Sequence, residues 1–317
     1  MVERLKQDYG DELRVVFREF PLITIHNNAQ ITAEAAEAAG AQGKFWEMHD
    51  ILFERQGDWS SKPETEMVDL LVGYAKEAGV ADLDQFKKDL DEHTYADKVM
   101  ADYQAAIGAG LGGTPSFVVN QVEFPSQAFG LSYQGLDVFI KLMKLRENWF
   151  ADGPKQVIDP NKKYTATIET DKGDIVIELF PDTAPVNVNS FAFLAENGWY
   201  KDTTFHRVLP DFVAQGGDPT GTGVGFPGYR CGDEVTPAHT FDQAGLVSLA
   251  NSGPNTNGGQ FFITFDAVPQ LNPNFTIIGR VIEGMDVAKE LTPRDPQQNP
   301  DAPPGDRIID IKIEEKS

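Results

Sequence analysis

Residues 250–263 read ANSGPNTNGGQFFI, a cluster of asparagine, glycine and proline that leads into an apolar run. The same alternation extends through the second half of the chain, where short apolar runs are separated by turn-forming residues. The runs are YTATIET, IVIELF, FHRVL, FVAQG, GLVSLA, QFFITF, FTIIGRVI and RIIDIKI, and a helix is expected at about 184–197. Strands of this number and spacing predict a closed antiparallel barrel.

The first half of the chain has a helical pattern instead. Apolar residues recur at helical spacing from about residue 26 to residue 145. The predicted helices span residues 28–40, 44–56, 64–78, 82–92, 95–109 and 135–148. Residues 13–19 (LRVVFRE) and 116–120 (SFVVN) are rich in β-forming residues and predict strands.

The stretch of residues 150–162 carries two prolines and little periodicity, which is typical of a linker. We therefore expect two domains, residues 1–149 and residues 163–317, joined by this linker. A chain of 317 residues is long enough for two domains that each bury a core of their own.

The composition excludes several classes of protein. The formal net charge is -22, whereas a nucleic-acid or anionic-membrane surface needs a basic face. Cys231 is the single cysteine, so the chain has no intrachain disulfide, no CxxC pair and no cysteine-rich zinc site. The glycine-rich residues 221–228 lack the Lys-Ser/Thr ending of a phosphate loop. We therefore expect neither a metal nor a cofactor.

The first residues, MVERLKQDYGDEL, lack the apolar segment of a signal peptide. The sequence also lacks a run of about 18 apolar residues, so we expect no membrane insertion. From the chain as written we expect a cytoplasmic protein. If the chain is a truncation of a longer exported protein, we expect an extracytoplasmic one.

Residues 163–317 resemble the cyclophilin-type peptidyl-prolyl cis-trans isomerases. The resemblance rests on motifs that occur in the family's order, namely FHRV (205–208), FVAQGGD (212–218), GTG (221–223), ANSGPNTNGGQFFI (250–263) and IGRVIEGM (278–285). It implies an eight-stranded antiparallel barrel capped by two helices. It also implies that the partners are proline-containing polypeptide clients and that the reaction assists protein folding.

Isomerisation of an X–Pro bond breaks amide resonance, against a barrier of about 18–20 kcal/mol. In the twisted state the prolyl nitrogen regains a lone pair, and a guanidinium is a suitable donor to it because it is permanently charged and rigid. The resemblance gives this catalytic role to Arg207. The substrate-binding residues that it implies are Phe212, Val213, Gln215, Ala250, Asn251, Gln260, Phe262, Leu271 and Phe275.

Three positions depart from the family pattern. Phe275 stands where many relatives carry histidine, and Val213 stands where many carry methionine. Both changes keep an apolar wall, so we expect activity to survive. Gln270 stands where cyclosporin-sensitive relatives carry tryptophan, which predicts weak cyclosporin binding.

Residues 1–149 resemble the DsbA-like branch of the thioredoxin superfamily. The motifs that carry the resemblance are YGDELRVVFREFP (9–21), AEAAEAA (33–39), GKFWEMHD (43–50) and GTPSFVV (113–119). The family has a helical region inserted between its strands, which fits the helical pattern found here. Thr114-Pro115 matches the family's cis-proline loop, so a cis Thr–Pro bond is expected.

The redox centre of that family is missing from this half. In the family, a central strand and a CxxC motif precede the equivalent of residue 1, and without cysteine no dithiol exchange occurs. The chain is then either a truncation of a longer fusion protein or a remnant used as a scaffold or peptide-binding module. Truncation is favoured, because the loss of a central strand leaves two sheet edges unpaired. A homodimer through this incomplete domain is a further hypothesis.

Two other functions remain open from the sequence. One is a proline-peptide-binding chaperone module without useful turnover. The other is a fragment of a bifunctional thiol oxidoreductase and isomerase, which a CxxC upstream in the gene would revive. The retention of Arg207, Gln215 and Phe262 favours the isomerase.

Overall fold

The computed structural model describes residues 1–316 and divides into two compact units. One unit comprises residues 2–123, and the other begins at Phe124 and continues through the remaining described chain. Within the described chain, no helix combines the length and apolar content needed to cross a bilayer.

The first unit is built almost entirely of helices. Its helices are α1 (Val2–Tyr9), α2 (Ala29–Ala41), α3 (Phe45–Glu54), α4 (Gln56–Trp59), α5 (Met67–Ala78), α6 (Leu83–Asp91) and α7 (Ala96–Gly108). Helix α5 ends at Gly79, whose φ of +81° favours glycine. Helix α6 begins after Asp82, whose carboxylate accepts a hydrogen bond from the Gln85 backbone. The core lies between α2, α3, α5 and α6, and α2 supplies it with small alanine side chains.

A short hairpin ends this unit. Strands β1 (Val118–Val119) and β2 (Val122–Glu123) pair antiparallel, which confirms the strand predicted at 116–120. The expected cis Thr114–Pro115 bond is present just before it. The strand predicted at residues 13–19 is wrong, because this run is not assigned to any β-ladder in the described chain. A β-rich run becomes a strand only when a neighbouring segment satisfies its backbone hydrogen bonds.

The second unit contains one curled antiparallel sheet. Its strands are β3 (Lys163–Thr170), β4 (Gly173–Leu179), β5 (Thr203–Thr204), β6 (Arg207–Leu209), β7 (Val213–Gly216), β8 (Leu246–Leu249), β9 (Phe261–Thr264), β10 (Ile277–Glu283) and β11 (Arg307–Lys316). Their order is β5-β11-β3-β4-β10-β8-β9-β7-β6. The two end strands, β5 and β6, are separated only by Phe205 and His206 in the chain. The sheet must therefore curl until its edges approach each other, as the predicted barrel requires. Because Phe205 and His206 separate β5 from β6, the described sheet has nine strands rather than the eight predicted.

Four helices accompany this sheet, namely α8 (Ser126–Phe129), α9 (Tyr133–Arg146), α10 (Pro185–Glu196) and α11 (Met285–Lys289). Helix α10 begins with a proline, which costs nothing there because the first helical N–H has no intrahelical acceptor. Its buried side chains, including Phe191 and Leu194, join the apolar core inside the curled sheet.

The stretch that the sequence assigns to a linker lies against the second unit. The Asn189 side chain of α10 accepts a hydrogen bond from Val157 N at 2.8 Å and donates one to Lys155 O at 2.9 Å. Ile158 is buried in the core. The predicted domain boundaries at residues 149 and 163 remain predictions, but residues 155–158 are held by hydrogen bonds and packing.

Candidate active site

Arg207 lies in a row of side chains that crosses neighbouring strands. It is directly opposite Gln215 in the β6–β7 pair, and Gln215 is opposite Phe262 in the β7–β9 pair. Directly opposed residues in a sheet project their side chains on the same face. The register therefore brings a permanent cation, an amide and an aromatic ring side by side.

The Arg207 guanidinium lies 5.9 Å from the centroid of the Phe212 ring. The side chain is half-buried, and no carboxylate within residues 1–316 forms an ion pair with it. Its N–H donors are thus available to a ligand. A guanidinium presents these donors in a rigid planar fork, so its orientation is set by the side-chain position.

The apolar residues that the sequence assigns to the proline pocket belong to one cluster. Val213 and Phe262 are buried in it, and the partly exposed members are Phe212, Ala250, Leu271 and Phe275. Phe262 meets Phe275 edge to face, with ring centroids 5.5 Å apart. Phe241, which the sequence does not single out, also stacks on Phe262, with ring centroids 5.9 Å apart. The cluster therefore forms an apolar surface beside the cation.

The two glutamines of the site are hydrogen-bonded to each other. Gln260 Nε2 donates to Gly223 O and to Gly225 O, both at 3.0 Å. Because these carbonyls fix the nitrogen of Gln260, its oxygen faces Gln215 and accepts from Gln215 Nε2 at 3.0 Å. The oxygen of the Gln215 amide then lies on the opposite side of that group, where an N–H donor can reach it.

The Asn251 side chain serves its own loop. It donates to Asn274 O at 2.9 Å and to Asn257 Oδ1 at 3.3 Å. The neighbouring Ala250 N donates to Gln260 O at 2.9 Å. The structure thus places Ala250 and Asn251 at the rim of the cluster and engages the side chain of Asn251 in holding this rim.

Asp218 organises the glycine-rich loop, a role that the sequence motifs do not indicate. Its carboxylate is buried and accepts from Gly223 N at 2.6 Å, Gly225 N at 3.1 Å and Thr220 N at 2.8 Å. A Cβ at Gly225 would lie 2.0 Å from Asp218 Oδ1, so only glycine fits there. The signal in the sequence is an acid that ends the FVAQGGD motif directly before a glycine-rich run.

His206 is buried immediately before Arg207. Burial lowers the pKa of its imidazole, and the positive charges of Arg294 and Arg207 act in the same direction, although Asp218 opposes them. The ring is therefore held neutral near pH 7. This neutrality prevents a second cation from forming beside the guanidinium of Arg207.

Comparison with known families finds a different family in each part of the chain. The family described as "Cyclophilin type peptidyl-prolyl cis-trans isomerase/CLD" matches residues 165–313, and the thioredoxin family matches residues 1–141. The "Peptidyl-prolyl cis-trans isomerase-like 1" of Rhizopus delemar is 48% identical over 127 residues, which are 39% of this chain and 77% of that protein. The "Peptidyl-prolyl cis-trans isomerase A" of Mycobacterium tuberculosis is 43% identical over 148 residues, which are 42% of this chain and 81% of that protein. A solved cyclophilin of Cryptosporidium parvum has 37% identity, covers 49% of this chain and 99% of its own, and gives a TM-score of 0.45.

Proposed function

The chain belongs to the family of cyclophilin-type peptidyl-prolyl cis-trans isomerases, and from this premise we propose that Arg207 stabilises the twisted X–Pro amide during isomerisation. No covalent bond is made or broken in this reaction. What accelerates it is a site that binds the twisted amide more tightly than either planar form. The prolyl nitrogen gains a localised lone pair only in the twisted state, so a donor aimed at it acts selectively there.

The register of Arg207, Gln215 and Phe262 supports this proposal. Phe262 and its cluster accommodate the proline ring, and the outward oxygen of Gln215 accepts a backbone N–H of the substrate. The guanidinium of Arg207, which is next to Gln215 in the same row, then lies beside the prolyl nitrogen. The backbone of Asn251 at the rim provides a second contact to the substrate chain.

The energies required are within reach of this arrangement. An acceleration from about 10⁻² to about 10³ s⁻¹ corresponds to about 7 kcal/mol of differential stabilisation. A charge-assisted hydrogen bond is about twice as strong as a neutral one, and it is worth more in a site that excludes water. The remaining stabilisation comes from holding the substrate backbone on either side of the rotating bond.

A protease-coupled assay on a peptide with an X–Pro bond tests this role. Arg207→Ala is expected to lower kcat/KM about 100-fold or more, because the donor to the prolyl nitrogen is lost. Arg207→Lys keeps the charge without the planar fork and should retain an intermediate rate. Arg280→Ala is the matched control, because Arg280 is an exposed arginine of the same sheet paired with Glu178.

The competing function is binding without turnover. If the wild-type chain binds proline peptides but does not accelerate exchange, the unit is a recognition module and the mechanism is wrong. If Arg207→Ala keeps more than about a third of the wild-type rate, isomerisation does not depend on this guanidinium.

For residues 1–141, which match the thioredoxin family, we propose a DsbA-like scaffold that binds polypeptide without redox chemistry. The 317 residues contain one cysteine, Cys231, and it lies in the other unit. The Thr114–Pro115 loop is exposed and accessible to an extended chain. A homodimer through this unit is part of the same proposal, and a light-scattering mass equal to one chain would refute it.

A further inference from the structure

A short segment upstream of the isomerase motifs packs on the glycine-rich loop of the site. The segment comprises residues 145–150, which lie outside the 165–313 region matched by the cyclophilin family. Trp149 lies against Phe226, with ring centroids 4.6 Å apart. Phe150 N donates to Pro227 O at 2.8 Å. A Cβ at Gly228 would lie 2.7 Å from Trp149 Cβ, so the segment and the loop are in close contact.

The loop that this segment contacts also sets the position of Gln260. Its carbonyls at Gly223 and Gly225 accept from Gln260 Nε2, while its N–H groups at the same residues donate to Asp218. A Cβ at Gly225 would also approach Leu145 Cδ2 to 3.2 Å. The loop is therefore held by Asp218 through its N–H groups and by the segment through side-chain packing.

Phe150 reaches a second part of the same site. Its ring centroid lies 5.1 Å from that of Phe193 and 6.4 Å from that of Trp199. The Trp199 indole donates to Gly217 O at 2.9 Å and lies so close to Gly259 that a Cβ there would be 2.4 Å from Nε1. Gly259 precedes Gln260 in the chain, so the packing of Phe150 on Trp199 restricts the backbone of Gln260. The packing of Trp149 on the loop restricts the carbonyls that accept from the Gln260 side chain.

We propose that Trp149 and Phe150 are positioning residues for substrate binding, acting through the loop on Gln260 and thereby on Gln215. The inference rests on the proposed function, in which Gln215 binds the substrate backbone. When Trp149 is removed, the loop keeps its N–H contacts with Asp218 but loses the packing on Phe226, so the carbonyls of Gly223 and Gly225 are held less firmly. Gln260 then no longer presents its oxygen to Gln215 in one orientation. The Gln215 amide can rotate, and substrate binding weakens while Arg207 remains in place.

The test measures kcat and KM separately for the full chain and its variants, with an Ala–Pro peptide at varied concentration. Trp149→Ala is expected to raise KM about tenfold, the effect of losing one oriented hydrogen bond, with a smaller fall in kcat because Arg207 remains in place. Trp149→Phe, which retains a ring against Phe226, should restore most of the affinity. Ile158→Ala is the control, because it also removes a buried apolar side chain shortly after Trp149, and Ile158 belongs to the core of this unit.

A double-mutant cycle identifies the route of the effect. If Trp149 acts through Gln260, the variant that combines Trp149→Ala with Gln260→Ala should have the KM of Gln260→Ala alone. Additive increases in KM would overturn this route. An unchanged KM in Trp149→Ala, or equal changes in Trp149→Ala and Ile158→Ala, would overturn the inference while leaving the isomerase intact.

Two further results keep the test decisive. If Trp149→Ala does not fold, Trp149→Leu replaces it and should shift KM in the same direction. A wild-type chain without activity, or an Arg207→Ala variant as fast as wild type, would instead refute the proposed function itself.

Discussion

Phe262 and Phe275 meet edge to face in the apolar cluster beside Arg207, with ring centroids 5.5 Å apart and an interplanar angle of 89°. Phe262 is buried in β9, whereas Phe275 is half-exposed and precedes β10. In the proposed proline pocket, the buried ring of Phe262 therefore forms the floor, and the half-exposed ring of Phe275 forms a wall that a ligand can contact. Geometry of this kind adds about 0.5–1.5 kcal/mol beyond area burial.

The two rings should differ in their tolerance of substitution. Phe275→His keeps a planar ring at the wall, so we expect kcat/KM within about threefold of wild type. Phe262→Leu removes ring area from the floor and from the contacts with Phe241 and Phe275, so we expect a loss of about tenfold. The peptide assay measures both variants. Equal losses in the two variants would show that the floor and the wall contribute alike.

His206 makes the stability of the second unit depend on pH. Its folded-state pKa lies below the ordinary value of 6.5, chiefly through burial. Below pH 6.5 the unfolded chain binds a proton that the folded chain excludes, so stability falls as the pH falls. The slope approaches about 1.4 kcal/mol per pH unit between the unfolded and folded pKa values.

Denaturant unfolding between pH 5 and pH 8 measures this dependence. His206→Gln removes the titrating group, and the variant should lose less stability than wild type as the pH is lowered. His239→Gln is a useful comparison, because burial also lowers the pKa of this less buried histidine. Parallel stability profiles for wild type and His206→Gln would contradict the expectation.

The strands of the second unit were predictable because turn residues divide them from one another. Apolar runs bounded by glycine, proline and asparagine specify both where a strand forms and where it ends. The run at residues 13–19 is also rich in β-forming residues and is not a strand, since no described segment pairs with it. Pairing is a property of the whole chain, and it cannot be read from a window of seven residues.

The residues of the proposed site were predictable from motifs, and the strand register brings three of them together. These three, Arg207, Gln215 and Phe262, meet in one row. The contacts of Trp149 and Phe150 with the glycine-rich loop could not be predicted in this way. They join segments more than 70 residues apart that share no periodicity and no motif, so only the folded chain brings them together.

Glu19 gives the first unit a pH dependence of the opposite sign. Burial raises its pKa to about 8, with further contributions from the carboxylates of Glu37 and Asp102, while Lys98 acts in the opposite direction. The folded chain therefore retains a proton that the unfolded chain releases near the ordinary value of 4.5. The stabilisation that the protonated Glu19 contributes is fully present below pH 4.5 and is lost as the pH rises towards about 8.

Glu19→Gln keeps the shape of the protonated carboxyl and cannot ionise. We expect it to be more stable than wild type at pH 9 and close to wild type at pH 5, as measured by denaturant unfolding. Glu47→Gln is the matched control, because Glu47 is an exposed acid of the same unit whose pKa is lowered by its hydrogen bond with Lys44. A stability difference between Glu19→Gln and wild type that stays constant with pH would refute the assignment.

Gln270 should determine the response to cyclosporin. It is exposed and directly precedes Leu271, which packs against the pocket cluster. The resemblance places a tryptophan here in cyclosporin-sensitive relatives, and an indole adds both apolar area and an N–H donor. Gln270→Trp is therefore expected to lower the Kd for cyclosporin at least tenfold, the combined effect of one hydrogen bond and the added ring area.

A titration with cyclosporin, followed through inhibition of the peptide assay, separates these two contributions. Gln270→Phe supplies a ring without the N–H donor, so its affinity should fall between those of wild type and Gln270→Trp. The rate on the peptide should stay near wild type in both variants, because Gln270 contacts neither the prolyl nitrogen nor the proline ring in the proposed mechanism. If Gln270→Trp binds cyclosporin no better than wild type, Gln270 does not limit the affinity, and the Phe275 and Val213 departures become the next positions to exchange.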